Sequence, residues 1–202
     1  MGLLTEGLPT AVEVEGIEVP VLTDWRVWME AYQVVDDPDL GALEKLAAII
    51  ALAYPNAGEP NPHEVALAHP NAAFEAALGF LRREQAGVPP KPQTPRERRL
   101  ARMRLFDFDW DAPKIAADFE REYGIDLTSE GTRMHWWRFM ALFNGLSDQS
   151  RTIVAISTRA ADLGDKRLGK EERRALRERQ LALMLPARTA EEAEQNRRIR
   201  GM

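Results

Sequence analysis

Three aspartates stand at alternate positions in "DFDWD": Asp107, Asp109 and Asp111. An extended segment would present them on one side, and carboxylate oxygens suit a hard divalent cation. A calcium-binding loop also needs glycine at its sixth position and glutamate at its twelfth. Counted from Asp107, those positions hold Ala112 and Asp118, so the pattern fails. A loop leading into a helix N-cap at Asp111 accounts for the acids more simply. His63, His69 and His135 are the only histidines. No two of them have the i, i+4 spacing of a helical zinc pair, and there is no HExxH motif. With no cysteine in the chain, thiolate metal sites and disulfides are excluded. Neither a GxSxG elbow nor a glycine-rich phosphate loop occurs. The expectation is a protein with no catalytic residues, no metal and no cofactor, and so not an enzyme.

Other residue types suit binding. "MHWWRF", Met134–Phe139, places two of the five tryptophans side by side. Successive helix residues point about 100° apart. Trp136, Phe139, Met140 and Phe143 then share one face, and Trp137 and Ala141 lie on the adjoining one. Such a wide apolar face suits a central helix touched by two neighbours, in a core or at a subunit interface. Basic residues cluster in Arg96–Arg104 and Lys166–Arg179. The second cluster is interleaved with Glu171, Glu172 and Glu178, and Arg174 and Glu178 form an ordinary i, i+4 pair. That interleaving, with a pI near 5.4, argues against a dedicated nucleic-acid binder. Trp137 and Arg138, with Arg173, Arg174 and Arg177, are the residues singled out for contact with a partner.

The elements that must position these residues are mostly helical. "VEVEGIEVPV", Val12–Val21, alternates apolar and polar residues about Glu15-Gly16 and reads as a hairpin, with Pro20 at an edge or strand end. Thr23 or Asp24 can cap a helix carrying Trp25, Trp28, Met29 and Tyr32, broken at Asp36-Asp37-Pro38. A second helix, with Leu40, Leu43, Leu46, Ala47 and Ile50 on one side, stops before Pro55. Tyr54–Val65 reads as a turn-rich connector. Pro70 and Asn71 open a helix with Phe74, Ala77, Leu78 and Leu81 on its face. Beyond Ala86–Pro95, with four prolines, lie the basic stretch Pro95–Arg104 and a helix entered at Asp111. That helix carries the stripe Ile115, Phe119 and Tyr123 and closes at Gly124. Met134–Phe143 is the next helix, ending at Asn144-Gly145. Ser147 or Asp148 caps another through Ile153, Ile156 and Ala160. Gly169–Leu185 is charged and amphipathic, and Thr189–Met202 is a polar tail with little to anchor it.

The fold class expected is mainly α, a multi-helix bundle with a short N-terminal β-hairpin. Its organisation reads as a hairpin and helical subdomain (1–85), a proline-rich linker (86–95), a C-terminal helical subdomain (96–186) and a polar tail (187–202). One domain with an exposed loop at 86–95 is the alternative. With 202 residues, 45% of them hydrophobic, there is material for a sizeable core. No apolar run reaches the roughly 20 residues a bilayer-spanning helix needs, and no signal peptide opens the chain. A soluble intracellular protein is expected, with no membrane partner. Residues 1–90 carry 4 basic and 14 acidic side chains, a net −10, and residues 91–202 carry 23 and 18, a net +5. Such polarity suits intramolecular docking, head-to-tail assembly into a homo-oligomer, an anionic partner, or merely two solvated surfaces of different composition.

Three blocks, Leu3–Trp28, "FDFDWDAPKIAADFEREYGIDL" and "HWWRFMALFNGL" (His135–Leu146), resemble a family of small tailed-phage proteins. These are encoded among the tail genes, between the major tail protein and the tape-measure protein, and are described as tail-assembly-chaperone-like. The resemblance runs through nearly the whole chain in the same order. One departure is Val19, where the family often has an aromatic residue before the proline. The resemblance implies a non-enzymatic assembly factor that binds the tape-measure protein, keeps it soluble and helps recruit tail-tube subunits. It would act in the host cytoplasm during assembly and be absent from the mature virion. A structural tail or connector component retained in the virion, or a DNA-binding regulator, are the other classes it leaves open.

Overall fold

The computed structural model describes residues 7–83, 94–100 and 103–201. In chain order its elements are β1 (Ala11–Val14), β2 (Ile17–Pro20), α1 (Trp25–Asp36), α2 (Ala42–Ala53), α3 (Pro62–Ala68) and α4 (Pro70–Arg82), then α5 (Pro95–Leu100), α6 (Ala112–Tyr123), α7 (Trp136–Asn144), α8 (Arg151–Ala160), α9 (Lys170–Ala182) and α10 (Ala190–Arg200). The expected class, mainly α with an N-terminal hairpin, is the one observed. The chain divides into two units, one of Met1–Pro90 with Glu130–Asn144, the other of Lys91–Ser129 with Gly145–Met202. The structure thus groups α7 with the N-terminal segment, where the sequence reading kept it in the C-terminal subdomain. The stretch read as a linker falls, except for Thr94 and Pro95, outside the described residues.

In the first unit the hairpin turns at Glu15 and Gly16, both at positive φ (49° and 77°). A type I′ turn needs that pair of left-handed residues, and its twist suits two antiparallel strands. Val12 pairs with Val19 and Val14 with Ile17. Val14 and Val19 are buried, whereas Ile17 beside the turn is exposed. Pro20 ends β2, where its missing N–H removes no ladder bond. A lone hairpin is marginal, and this one packs β1 on α4 and β2 on α3.

Asp24 caps α1, accepting from Arg26 N at 2.9 Å. Trp25, Trp28 and Ala31 form the buried stripe of α1. The expected face of α2 is corrected. Leu43 is 81% exposed and Ala47 is exposed, whereas Ile49, Ile50 and Ala53 are buried. This helix has so few polar residues that more than one stripe fits the helical period, and packing against α1 and α4 selects among them. The connector after Tyr54 is also corrected, because it contains α3. Asn61 accepts from His63 N at 3.0 Å and Pro62 occupies the first turn, a start signal concealed among turn residues.

The tryptophan pair joins α7 to this core by backbone chemistry as well as by burial. Trp136 Nε1 donates to Leu81 O and Trp137 Nε1 to Phe80 O, each at 3.0 Å. Both acceptors belong to the last turn of α4, where carbonyls outnumber the intrahelical donors; Phe80 O also accepts from Arg83 N at 3.1 Å. Residues 134 and 135, expected to open α7, are not helical. They lie antiparallel to the entry of α1, with Trp25 N donating to Met134 O (2.9 Å) and Trp136 N to Thr23 O (2.8 Å). Phe139, fully buried, stacks on Trp25 at 5.1 Å and on Trp136 at 5.7 Å between ring centroids. Trp28 meets Phe80 at 4.5 Å.

The second unit joins its helices through carboxylates and guanidinium groups. Gly124, at φ 65°, closes α6 as a left-handed cap. Asp118 of α6 is fully buried and accepts from Arg151 N (3.2 Å) and Thr152 N (2.7 Å). Its charge therefore sits at the N-terminus of α8, where free N–H groups and the helix dipole favour an anion. Ser150, rather than Ser147 or Asp148, caps α8, accepting from Ile153 N at 3.1 Å. Ser147 instead donates its N–H (2.9 Å) and hydroxyl (2.8 Å) to Glu122. The C-terminal segment is not an unanchored tail. Thr189 caps α10 by accepting from Glu192 N (3.1 Å), Asn196 donates to Leu185 O (3.0 Å), and Glu192 pairs with Arg104 at 3.0 Å.

Two outcomes follow from the first unit. Trp136→Ala should lower stability by about 3–5 kcal/mol, the range for large aromatics in cores. Trp136→Phe, which keeps most of the ring but leaves Leu81 O without its indole donor, should lower it by about 1–3 kcal/mol. Urea unfolding midpoints would rank them. His135 supplies a pH dependence. Its Nε2 meets Pro9 O at 2.8 Å and its Nδ1 accepts from Trp137 N at 3.0 Å, an arrangement that requires neutral imidazole. Burial pulls its pKa below the usual 6.5, against the opposing effect of the Pro9 carbonyl. The unfolded chain then binds more protons as pH falls through 6.5, so the stability conferred by neutral His135 is present above that pH and lost below it. His135→Gln should flatten the fall in the unfolding midpoint between neutral pH and mild acid; an unchanged slope would remove His135 as its source.

Candidate functional site

The residues singled out from the sequence are divided between the two units. Trp137 is buried against Phe80, with ring centroids 5.6 Å apart, and fills the core of the first unit. Arg138, next to it, is exposed. In the second unit, Arg173 donates to Leu163 O (3.0 Å), Asp165 O (3.3 Å) and Leu168 O (3.1 Å), tying the loop before α9. Arg174 lies at the surface between Glu171 (3.3 Å) and Glu178 (3.7 Å), the second being the pair expected from spacing. Arg177 is also exposed, its guanidinium beside Gly201 at the end of α10.

The "DFDWD" aspartates each have a structural task. Asp107 accepts from Asp109 N (3.0 Å), Trp110 N (2.9 Å) and Arg104 (2.6 Å). Asp111 occupies the N-cap position of α6 but, contrary to expectation, makes no capping bond there. Its carboxylate receives Arg159 in a two-point pair at 2.6 and 3.0 Å, Lys114 at 2.9 Å and Asp107 N at 3.2 Å. Burial works to raise the Asp111 carboxyl, but the hydrogen bonds from Arg159 and Lys114, the Arg159 charge and the Asp107 N–H outweigh it and hold its pKa below the usual value. Arg159 also donates to Leu183 O (2.7 Å) and Leu105 O (2.9 Å), so one guanidinium fastens α8 to the chain before α6 and to the end of α9. Among the described residues no three His, Cys, Asp or Glu side chains converge as a metal site would require.

This scaffold holds Trp110 outward, 54% exposed. Beside it opens a groove of about 650 Å³. Leu181, Met184, Leu185 and Pro186, from the end of α9 and the following chain, supply one part of its lining. Ala190, Ala193, Arg197 and Arg200 supply a stripe along α10. Those four recur at three- and four-residue intervals, one face of a helix. The alanines make part of the lining apolar and small, and Asn196, Arg197 and Arg200 make the rest polar. No reading of the sequence singled out Trp110. One aromatic residue in an acidic loop has no periodicity, and its exposure follows from where Asp107 places the loop.

The second unit thus presents an open groove beside Trp110, lined in near-equal parts by apolar and polar surface. The model of the family described as Bacteriophage Gp15 protein matches residues 4–185, most of the chain. The chain belongs to this bacteriophage family. No curated protein and no solved structure matches. The matched span ends at the start of the α9–α10 connection, so α10 lies beyond it. Among the described residues no helix is long and apolar enough to cross a membrane.

Breaking the Asp111–Arg159 pair should be severe, because a buried charge left without its partner costs about 3–5 kcal/mol. Asp111→Asn preserves shape and removes the charge that Arg159 needs. Its urea midpoint should fall far more than that of Asp109→Asn, an exposed neighbour in the same loop. Equal midpoints for the two variants would show that the pair does not hold the unit together.

Proposed function

We propose that this phage protein is a tail assembly chaperone that works by binding rather than by catalysis. Its partner is the tape-measure protein, a long helical chain that exposes apolar stripes until the tail tube surrounds it. The observation that carries this reading is the open groove beside Trp110. Apolar grooves of helical proteins take the apolar face of an amphipathic helix, with anchor side chains at i, i+3, i+4 and i+7. Trp110 is suited to be such an anchor point, since an exposed aromatic at the mouth of a cleft has much apolar area to bury. Arg197 and Arg200 at one end add orientation and salt dependence more than affinity. Membership of a bacteriophage family supports the setting, and the sequence resemblance supplies the partner.

A chaperone must also let go. An exposed ion pair contributes about 0–1 kcal/mol, and a cleft of this size supports modest affinity. Tail-tube subunits arriving in the host cytoplasm could then displace this protein, leaving it outside the finished virion. Coexpression gives the test. The tape-measure protein should be soluble with this chain and aggregate without it, and Trp110→Ala should reduce that protection while leaving the circular dichroism spectrum unchanged. Equal solubility with and without the chain, with no complex on size exclusion at low salt, would end the chaperone reading. Recovery of the chain from purified particles in fixed copy number would favour a structural tail component.

A further inference from the structure

The second helix, α2, is apolar on more sides than the first unit covers. Within "ALEKLAAIIALA" only Glu44 and Lys45 are polar. Ile49, Ile50 and Ala53 are buried, yet Leu43, Ala47 and Ala51, at i, i+4 and i+8, form a second stripe that is exposed. A helix apolar nearly all round belongs inside an assembly. Acids flank the Leu43 end. Asp39 and Glu44 are exposed and Asp37 is half-buried, with Glu44 accepting from Gly41 N at 2.7 Å.

The groove on the second unit has complementary features. Its α10 wall runs from the small side chains Ala190 and Ala193 to Arg197 and Arg200. At 1.5 Å per residue, Leu43 to Ala51 spans about 12 Å and Ala190 to Arg200 about 15 Å. Laid antiparallel to α10, α2 would place Ala51 over Ala190 and bring Leu43, with its acids, to the arginine end. Small residues on both helices permit close approach, and antiparallel helix dipoles favour the same direction. The charge of the whole chain agrees, at −10 for residues 1–90 against +5 for 91–202.

We propose that the exposed Leu43–Ala47–Ala51 face of α2 docks in the Trp110 groove of a second copy of this chain. The contact is heterologous, ridge into groove, so it propagates head to tail into open chains or a closed ring. It covers the groove in the free protein, and a partner helix must displace it. This goes beyond the chaperone reading and stands or falls without it.

Sedimentation of the purified full-length chain provides the test. The weight-average mass should rise with concentration in the micromolar range and fall as salt is added. Leu43→Glu removes the ridge and Trp110→Ala weakens the groove. Both side chains are exposed, and circular dichroism would verify that each variant folds. Each variant alone should remain monomeric. An equimolar mixture should form a one-to-one dimer and stop there, because one intact ridge and one intact groove remain. The chain has no cysteine, so Ala47→Cys in one copy and Ala193→Cys in another should yield an interchain disulfide. Monomeric wild-type protein overturns the proposal, as does self-association of the Leu43→Glu variant or a mixture that does not dimerise. A disulfide confined within single chains carrying both cysteines also overturns it. Leu43→Glu should still keep the tape-measure protein soluble in coexpression, so loss of self-association and loss of chaperone activity are read separately.

Discussion

A carbonyl at the end of a buried helix must have a donor, and the first unit is organised around two that do. The last turn of α4 ends against α7, where water is excluded. Trp137 and Trp136 deliver one indole N–H each, to Phe80 O and Leu81 O. Tryptophan brings both a large buried surface and a donor at its tip, so an adjacent pair meets both needs at once. Two neighbouring donors meeting two neighbouring acceptors also fix the direction in which α7 crosses the end of α4. Phe139 is then set between Trp25 and Trp136, and the entry of α1 pairs with residues 134–136. The packing of the unit follows from that alignment.

The second unit meets the same requirement with charge instead of indole. Asp118 supplies an anion to the open N–H groups of α8, and Arg159 gathers Leu105 O, Leu183 O and the Asp111 carboxylate. A buried guanidinium with its donors distributed in this way specifies one arrangement of three chain segments, since any shift leaves a charge or a carbonyl unmet. This rigidity has a use at the surface. The loop that ends at Asp111 is the one that carries Trp110, so the groove inherits a fixed mouth from an ion pair underneath it.

Much of this was legible in the sequence, and the failures have physical causes. The hairpin, the Asp24 cap, the stripe of α1 and the closure of α6 at Gly124 all depend on local chemistry, which a linear reading contains. Trp136 and Phe139 were expected in a core because their spacing on a helix allows little else. The stripe of α2 was misjudged because a nearly polar-free helix offers several, and only its neighbours choose. Asp111 was read as a cap because aspartate before Ala-Pro suits one, yet Arg159, 48 residues later, takes the carboxylate. Asp118 and Arg159 themselves look like ordinary surface charges until a distant helix end is found beside each. The candidate site was the least legible part. The arginines of α9 attracted notice by their number, whereas Trp110 matters by its placement.

The path of the chain between the units has a bearing on how the molecule is made. Residues 1–90 and 130–144 make one unit, so the chain leaves it, contributes residues 91–129 to the other, returns for α7 and departs again. During synthesis from the N-terminus, the hairpin and α1 to α4 emerge well before the tryptophans that complete them. Until residue 144 is translated, the last turn of α4 has no indole donors, and Trp25 and Phe80 lack the aromatic neighbours that residues 135–139 supply. The nascent N-terminal segment is therefore a sticky half-core waiting for a later strip of sequence, and a ribosome pausing near the proline-rich stretch would hold it in that state. Contacts of long sequence separation are slow to form and leave apolar surface open to wrong partners meanwhile. A protein read as guarding another chain's exposed apolar surface passes, in its own birth, through the same exposure.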